Sequence, residues 1–335
     1  MAQIANTFET YDATGNREEL SDIIHNITPD ETPFMSLVAA RMVKTTHPEW
    51  QTDTLATPDT TNNQPEGNDW AFTALSATTR VGNYTQISDK KVIVSRTQDK
   101  TDSAGRKSEL AYQVRKKGLE LRTDMEVILL SNQASQAGSG NGATNRTSGG
   151  LRAWIATNDD INGGSSGGFN TSTSVVDAAT NGTQRAFTKA ILDSIILNTY
   201  NAGGSPSTLM VSPYVKTVFS TFLDDANIVP LRQNVTQRGK RALIASAEIY
   251  VSDFGNVMVV PNRQMARAGA SVARNAFLVD PEMVSVGYFD DIKLNKVAKT
   301  GDAEKRVLNT EYTLLVNNEA AHGCAADLYG LTAST

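Results

Sequence analysis

The sequence predicts an α+β fold, and three features of the 335-residue chain support this class. Residues 103–135 form one long helical segment without proline. The carboxyl half alternates short β-rich runs with two shorter helices, which is typical of α+β domains. Ahead of both, five of the ten prolines fall before residue 66, where apolar residues seldom recur at helical spacing. With 39% hydrophobic and 20% charged residues, the composition excludes a wholly disordered or coiled-coil chain.

Residues 1–44 are predicted to form an extended N-terminal arm. Proline fixes φ and removes a backbone donor, so a proline-rich stretch favours extended backbone lying across another surface. Apolar residues at helical spacing predict a short helix over residues 17–27, which Pro29 ends. A second apolar cluster follows Pro33 and consists of Phe34, Met35, Leu37 and Val38. Apolar anchors on an arm predict docking onto a partner.

Residues 45–96 are predicted to form a long projecting hairpin. Short β-like runs occupy residues 50–54, 70–75 and 91–95, and residues 58–69 are rich in Asn, Thr, Pro and Gly, as loop tips are. A strand pair with so little Leu, Ile or Val cannot fold around its own core. The hairpin is therefore expected to pack on something outside itself.

Residues 103–135 are the strongest helical element in the sequence. The apolar residues keep near one face, and the charged residues take the others. At 1.5 Å per residue, some thirty residues make a rod about 45 to 50 Å long. A coiled coil is the weaker alternative, because strict a/d heptads are not sustained over three repeats. Such a helix is expected to organise an elongated subunit.

Two segments rich in Gly, Ser, Asn and Thr, residues 138–150 and 162–174, are predicted to be surface loops or a hinge. They flank a short apolar run at residues 151–155.

A compact body is predicted after these loops. A helix is expected over residues 188–200, a buried strand over 208–212, and a second helix over 214–222 with Ser212 as N-cap and Pro213 at its first position. Further strands are predicted at residues 248–252, 257–261, 277–279, 284–288, 292–298 and 307–316.

Patterns that could indicate catalysis are better explained without it. Residues 163–167 match G-x-S-x-G, but both flanks are polar, whereas a hydrolase elbow needs a buried strand before the serine and a helix after it. His322 and Cys324 could share a metal, yet structural zinc needs four ligands and the other histidines, His25 and His47, are far away in sequence. No phosphate-binding GxxxxGK[ST] string occurs. We expect no catalytic residue, no cofactor and no metal, and a chain that is not an enzyme.

The charge distribution argues against a nucleic-acid-binding arm. The formal net charge is −5, and no block of five or more like charges occurs. The basic residues Arg232, Arg238, Lys240 and Arg241 are interpreted as a solvated or subunit-contacting loop in preference to a DNA site. Any nucleic acid is expected to be enclosed without sequence-specific binding.

The cysteine content and the lengths of the apolar runs indicate the cellular compartment in which the chain folds. Cys324 is the only cysteine, which excludes an internal disulfide and fits folding in a reducing cytosol. The N-terminus lacks the basic and apolar regions of a signal peptide, and no apolar run approaches the roughly 20 residues that span a bilayer. Neither secretion nor a membrane partner is expected.

The order of arm, hairpin, long helix and α+β body, together with several short strings, resembles a known family. The strings are Thr32-Pro33-Phe34, Gly82-Asn83-Tyr84-Thr85-Gln86-Ile87-Ser88, Ala104-Gly105-Arg106-Lys107-Ser108-Glu109, Gly149-Gly150-Leu151, Leu209-Met210-Val211-Ser212-Pro213 and Asn318-Glu319-Ala320-Ala321. Over nearly the whole chain this organisation resembles the Hong Kong 97 type of tailed-bacteriophage major capsid protein.

The resemblance implies a Hong Kong 97-like capsid fold with a fixed division of the chain. The parts would be the arm (1–44), the extended hairpin or E-loop (45–96), the spine helix with part of the peripheral domain (97–149), a mainly axial domain (150–290) and the C-terminal return strands of the peripheral domain (291–335). Arm and hairpin would lie over neighbouring subunits.

The implied function is that of a major head protein in the virion. It would self-assemble into hexamers and pentamers that form an icosahedral shell enclosing double-stranded DNA, after assembly in the host cytoplasm. The alternatives are another phage structural protein, such as a tail tube, and a secreted adhesin or hydrolase.

Partners other than further copies of the chain follow from the same resemblance. Only about 45 residues precede the hairpin, too few for the fused scaffolding domain of some relatives, so a separate scaffolding protein is expected. A portal and a possible decoration protein would complete the particle.

Seven residues are predicted to contact neighbouring subunits: Phe34, Trp50, Trp70, Tyr84, Arg232, Arg238 and Arg241. The two tryptophans could stack on bases, but no interleaved positive charge supports that use, so intersubunit anchoring is favoured. Some shells of this type join a hairpin lysine to an asparagine of a neighbour. Between Trp50 and Arg80 this chain has no lysine, so its shell is expected to be held by non-covalent contacts.

Overall fold

The computed structural model describes residues 27–69, 72–222, 248–299 and 301–335, and the backbone of strand residues 236–237 and 240–241. The predicted helix over residues 17–27 lies outside the described residues except for Ile27.

The described helices are α1 (Pro33–Leu37), α2 (Arg96–Lys100), α3 (Glu109–Leu130), α4 (Leu151–Trp154), α5 (Lys189–Asn201), α6 (Pro213–Thr221), α7 (Arg263–Arg267) and α8 (Ala270–Ala273), with a 3-10 turn at Glu319–Ala321. The strands are β1 (Ala39–Met42), β2 (Glu49–Thr52), β3 (Thr79–Gly82), β4 (Gln86–Ser95), β5 (Asp159–Asp160), β6 (Gly168–Asn170), β7 (Val175–Asp177), β8 (Thr208–Val211), β9 (Thr236–Gln237), β10 (Lys240–Arg241), β11 (Ile249–Ser252), β12 (Gly255–Pro261), β13 (Ala276–Val279), β14 (Val284–Lys296), β15 (Ala303–Val316) and β16 (Gly323–Ala325). None of the described helices is long and apolar enough to cross a membrane.

A four-stranded sheet with the order β1-β14-β15-β4 supports the long helix. Strands β14 and β15 form a long antiparallel pair, and β15 also pairs with β4 over ten residues. The helix α3, called the spine helix below, packs on β4 and β15. Leu121, Met125 and Leu129 on its buried face join Tyr312 and Leu314 of β15 in one apolar core.

A six-stranded mixed sheet with the order β11-β12-β8-β13-β16-β5 forms the body. Helices α5 and α6 cover it with Leu192, Ile195, Val215 and Phe219, which form a second apolar cluster. As predicted, Ser212 caps α6: its hydroxyl accepts a hydrogen bond from the Val215 N–H, and Pro213 occupies the first turn.

The spine helix is shorter than predicted, with 22 residues and therefore a length of about 33 Å. Its amino end is fixed by Ser108, whose hydroxyl accepts from the Ala111 N–H. Residues 103–106 form a turn instead, in which Gly105 has a φ of 76°. The helix ends before Ser131, five residues earlier than predicted. The predicted length of 45 to 50 Å was wrong. No proline marks either end of the helix, so the sequence pattern placed both ends too far out.

Other elements also differ from the sequence prediction. Residues 72–75 form no strand, and β3 supplies the second strand of the hairpin a few residues later. Residues 284–288 and 292–298 were predicted as two strands, but β14 runs through both to Lys296, with register shifts between Tyr288 and Lys293. Residues 151–154, for which no element was predicted, form a helical turn.

The glycine-rich segments are packed more closely than flexible loops would be. A Cβ on Gly164 would lie 2.1 Å from the Thr180 carbonyl oxygen, and one on Gly167 would lie 2.4 Å from the Ala153 carbonyl oxygen. Both residues belong to the G-x-S-x-G match. Strands β6 and β7 follow the pattern, where a nucleophile elbow would require a helix.

The C-terminal residues divide between the two sheets. Strand β15 lies in the four-stranded sheet, whereas β16 pairs with β13 and β5 in the body. Residues 291–335 were predicted as one group of return strands, but they divide between the two sheets at about residue 317. The predicted boundary at residue 290 falls inside β14. Such long-range pairing has no local sequence signal.

Candidate assembly surfaces

The base of the hairpin is fixed to the rest of the chain by aromatic contacts. Trp50 on β2 is partly buried, donates from its Nε1 to the Asn317 carbonyl oxygen at 3.2 Å, and stacks on Trp154 at 5.6 Å between ring centroids. Tyr84, just beyond β3, stacks on His47 at 4.1 Å. Two of the predicted contact residues thus position the hairpin within its own subunit, and each residue is only partly buried there.

Asn83 is the polar anchor of the same region and is fully buried. Its Nδ2 donates to the carbonyl oxygens of Leu314 at 2.8 Å and Gly149 at 3.1 Å, and its Oδ1 accepts from the Gly149 N–H at 2.8 Å. Two of the strings that carried the family resemblance, residues 82–88 and 149–151, are therefore bonded to each other. The two strings lie more than sixty residues apart, so nothing local in the sequence indicates that they pair.

The hairpin tip is residues 53–78, of which residues 53–69 and 72–78 are described and extend beyond the β2–β3 pair without regular secondary structure. Three large apolar side chains on it are almost fully exposed: Leu55 at 99%, Phe72 at 92% and Leu75 at 96%. Soluble chains rarely leave such groups together in water unless a partner covers them. The tip is therefore a candidate contact surface.

The arm is docked on the spine helix through Glu126, a fully buried carboxylate. Its oxygens accept hydrogen bonds from the backbone N–H groups of Phe34 at 2.7 Å and Met35 at 2.9 Å, and from Asn262 Nδ2 at 2.7 Å. Burial raises the pKa of Glu126, and the three donors oppose that rise. The first two donors lie in the opening turn of α1, where helix N–H groups have no partner within the helix.

Phe34 is a correction to the predicted contact residues, because its side chain is 0% exposed within its own subunit. It packs in the same apolar core as Leu121 and Met125 of the spine helix. The sequence marked it as an anchor, but the surface that it anchors to belongs to the same chain.

Of the remaining predicted residues, Trp70, Arg232 and Arg238 lie outside the described residues, and only the backbone of Arg241 is described, in the β9–β10 hairpin. Their contacts stay predictions.

His322 and Cys324 are both buried near the start of β16. The Asp280 N–H donates to Nδ1 of His322 at 3.2 Å, and burial lowers the pKa of His322 to about 4. Burial raises the pKa of the Cys324 thiol. In the part of the chain that the structure describes, no group of three or more His, Cys, Asp or Glu side chains is arranged to hold a metal ion.

Comparisons with known proteins give one consistent result. The sequence profile of the SU10 major capsid protein family matches residues 4–329. The chain is 27% identical to the major capsid protein of Escherichia phage Phieco32, over 94% of this chain and 95% of that protein.

Solved structures share the fold at lower identity. A chain from Gordonia phage Cozz matches with a TM-score of 0.59 and 14% identity, covering 97% of this chain and 96% of that one. A chain of the cyanophage A-1(L) capsid asymmetric unit matches with a TM-score of 0.58 and 15% identity, covering 96% and 98%. The predicted capsid-type α+β fold is thereby confirmed.

Proposed function

We propose, from the premise that this chain belongs to the SU10 major capsid protein family, that it closes an icosahedral shell of hexamers and pentamers around double-stranded DNA. It is a phage major capsid protein, and its structural relatives form capsid shells. The single observation that carries the proposal is the match of both the family profile and a capsid relative over almost the whole chain. A separate scaffolding protein and a portal are the further partners that we propose, with assembly in the host cytoplasm.

The arrangement of the exposed surfaces supports assembly through the hairpin. Its base is held by Trp50, Tyr84 and Asn83, so the subunit presents the tip from a fixed point. The tip exposes apolar side chains that a single subunit leaves uncovered. We propose that neighbouring subunits cover it, and that residues 284–316 and the spine helix form the peripheral part of the subunit.

Electron microscopy of the purified chain, expressed alone and with its scaffolding partner, tests the proposal. Closed polyhedral particles or capsomers are the expected result. Long tubes would favour a tail protein, and monomers that form no particle under either condition would contradict the proposed function.

Hydrogen exchange on dissociated subunits and on shells is expected to show that assembly protects the hairpin tip. The described part of its backbone makes few hydrogen bonds in the single subunit, so residues 53–78 should exchange fast there and more slowly in the shell. Strand β15 is the internal control, because it is paired with β14 on one side and β4 on the other within one subunit and should be protected in both states. Equal exchange of the tip in subunits and shells would contradict the prediction.

A denaturing gel of boiled mature particles is expected to give one band near the monomer mass of 36.0 kDa. The hairpin tip has no lysine, and the lysines on β4 are paired: Lys90 with Asp124, and Lys91 with Asp89 at 3.0 Å. A charged ammonium group has no free electron pair and cannot act as the nucleophile of such a cross-link. A ladder of multimers that survives reductant would show that the shell is cross-linked after all.

A further inference from the structure

Three asparagines of the chain are followed by glycine: Asn141, Asn162 and Asn181. An asparagine in this position can lose its side-chain amide, because the backbone nitrogen of the next residue can attack the side-chain carbonyl carbon. Glycine places no side chain in the way of that attack. The reaction requires that the asparagine side chain can turn towards the nitrogen, and that the nitrogen can give up its proton. The fold treats the three sites differently in both respects.

Asn141 lies at the tip of a short loop, residues 136–147, which a backbone bridge closes at its base. Asn141 and Gly142 are both exposed. Within the described chain the Gly142 N–H makes one hydrogen bond, to the Ser139 carbonyl oxygen at 3.2 Å. A hydrogen bond in an exposed loop opens at little cost in free energy, so this nitrogen is readily freed.

The Asn141 side chain is also arranged to accept a nucleophile. Its Oδ1 accepts hydrogen bonds from the Ser139 hydroxyl at 2.7 Å and from the Ala143 N–H at 3.1 Å. When a nucleophile adds to a carbonyl carbon, negative charge develops on the oxygen, and donors that already point at this oxygen stabilise it. The loop thus combines a free nucleophile with a polarised carbonyl group.

Asn181 is exposed as well, but the nitrogen that would attack it is held. The Gly182 N–H donates to both carboxylate oxygens of Asp327, at 3.0 Å each, and Asp327 is fully buried. Removing that proton would leave a negative nitrogen beside a carboxylate, which electrostatic repulsion opposes. A Cβ on Gly182 would lie 2.1 Å from the Asn162 carbonyl oxygen, so this part of the backbone is also closely packed.

Asn162 is held through its side chain and its backbone. Its Nδ2 donates to the Thr183 carbonyl oxygen at 2.8 Å, and its own carbonyl oxygen accepts from the Thr183 N–H at 2.9 Å. Its N–H donates to Asp327 at 3.3 Å. The side chain must break its bond to Thr183 before its carbonyl carbon can turn towards the Gly163 nitrogen.

We propose that Asn141 is a site of spontaneous deamidation and that the fold protects Asn162 and Asn181. Hydroxide removes the proton of the Gly142 N–H, and the nitrogen forms a bond to Cγ of Asn141. The bond from Cγ to Nδ2 breaks, and Nδ2 takes a proton from water and leaves as ammonia. Water then opens the cyclic imide at either carbonyl, which gives aspartate or isoaspartate at position 141. Each event adds one negative charge to a subunit of formal net charge −5.

Peptide mapping of the aged full-length chain by mass spectrometry tests the proposal. At mildly alkaline pH the native chain should convert Asn141 at least about tenfold faster than Asn162 or Asn181, because one retained hydrogen bond of about 1.4 kcal/mol slows a reaction about tenfold. The rate should rise in proportion to the hydroxide concentration. Isoaspartate should appear beside aspartate, since only the cyclic imide gives both products.

The same chain in urea is the matched control, because without the fold the three sites should react at similar rates. Native Asn162 or Asn181 that reacts as fast as Asn141 would overturn the proposal. It would equally be overturned by an Asn141 that keeps its amide in the native chain while the unfolded chain reacts.

Two substitutions connect the chemistry to the charge of the intact protein. Native electrophoresis of the aged wild type should resolve a more acidic species, and Asn141→Asp should migrate with it from the start. Asn141→Gln should fold like the wild type and give almost none of this species, because glutamine would have to close a larger and less favourable ring. An aged Asn141→Gln chain that forms as much of the acidic species as the wild type would assign the change to another residue and refute the site.

Discussion

Leu121→Pro should abolish folding of the subunit and not only its assembly. Leu121 lies in the middle of the spine helix and is fully buried against the four-stranded sheet. A proline in a helix interior costs about 3 kcal/mol or more through the lost hydrogen bond and the ring clash. Loss of the buried leucine side chain adds about 2 to 5 kcal/mol. Together these costs match most of the 5 to 15 kcal/mol that stabilises a typical domain. Circular dichroism and the soluble fraction after expression measure the result.

Ala104→Pro is the matched control for this substitution. Sequence alone places residue 104 inside the long helix, but it lies in the turn that precedes it, before Gly105 with its positive φ. A proline is well tolerated at the second position of such a turn, so this variant should fold like the wild type. A soluble, well-folded Leu121→Pro subunit, or an Ala104→Pro subunit as damaged as it, would show that the helix bounds are wrong.

Local chemistry explains which elements were predictable. The Ser212-Pro213 start of α6 was predicted correctly, because capping depends on residues within one turn. The existence of the spine helix followed from its amphipathic pattern, but its amino end depends on Ser108 and on the turn at Gly105, and no proline marks either end. The β13–β16 pairing joins residues almost fifty positions apart, so nothing local indicates it.

The candidate assembly surfaces were predictable in part for the same reason. A polar hairpin without a core was evident from composition, and its exposed tip agrees with that reading. Phe34 was identified as an anchor, but its backbone N–H is held by Glu126, 92 positions away. A single glutamate in a charged helix looks like any solvated side chain. The groove between the arm and the spine helix likewise forms only where Pro29 of the arm lies beside Tyr112.

Glu126→Ala should detach the arm from the spine helix and destabilise the subunit. The substitution leaves the N–H groups of Phe34 and Met35 and the Asn262 amide without their acceptor. A buried donor left unsatisfied costs about 1 to 3 kcal/mol, so the free energy of unfolding should fall by several kcal/mol. Denaturant unfolding measures that fall, and limited proteolysis should cut before Phe34 sooner than in the wild type. Glu120→Ala is the control: its partly exposed pair with Lys117 contributes only about 0.3 to 0.5 kcal/mol.

Comparing the stability of the wild type and Glu126→Gln over a range of pH separates the effect of the carboxyl's charge from the effect of its shape. Burial raises the pKa of Glu126 above its ordinary value of 4.5, so the folded chain holds this proton at pH values where the unfolded chain has released it. Stability falls with rising pH wherever the folded state binds more protons. As the pH is lowered towards 4.5, the wild type should therefore gain free energy of unfolding relative to Glu126→Gln, which has no proton to bind there. The gain is complete once the unfolded carboxyl is protonated as well. Unfolding curves of the two proteins between pH 7 and about pH 4 measure the difference. A difference that stays constant, or that shrinks on acidification, would mean that Glu126 docks the arm without an elevated pKa.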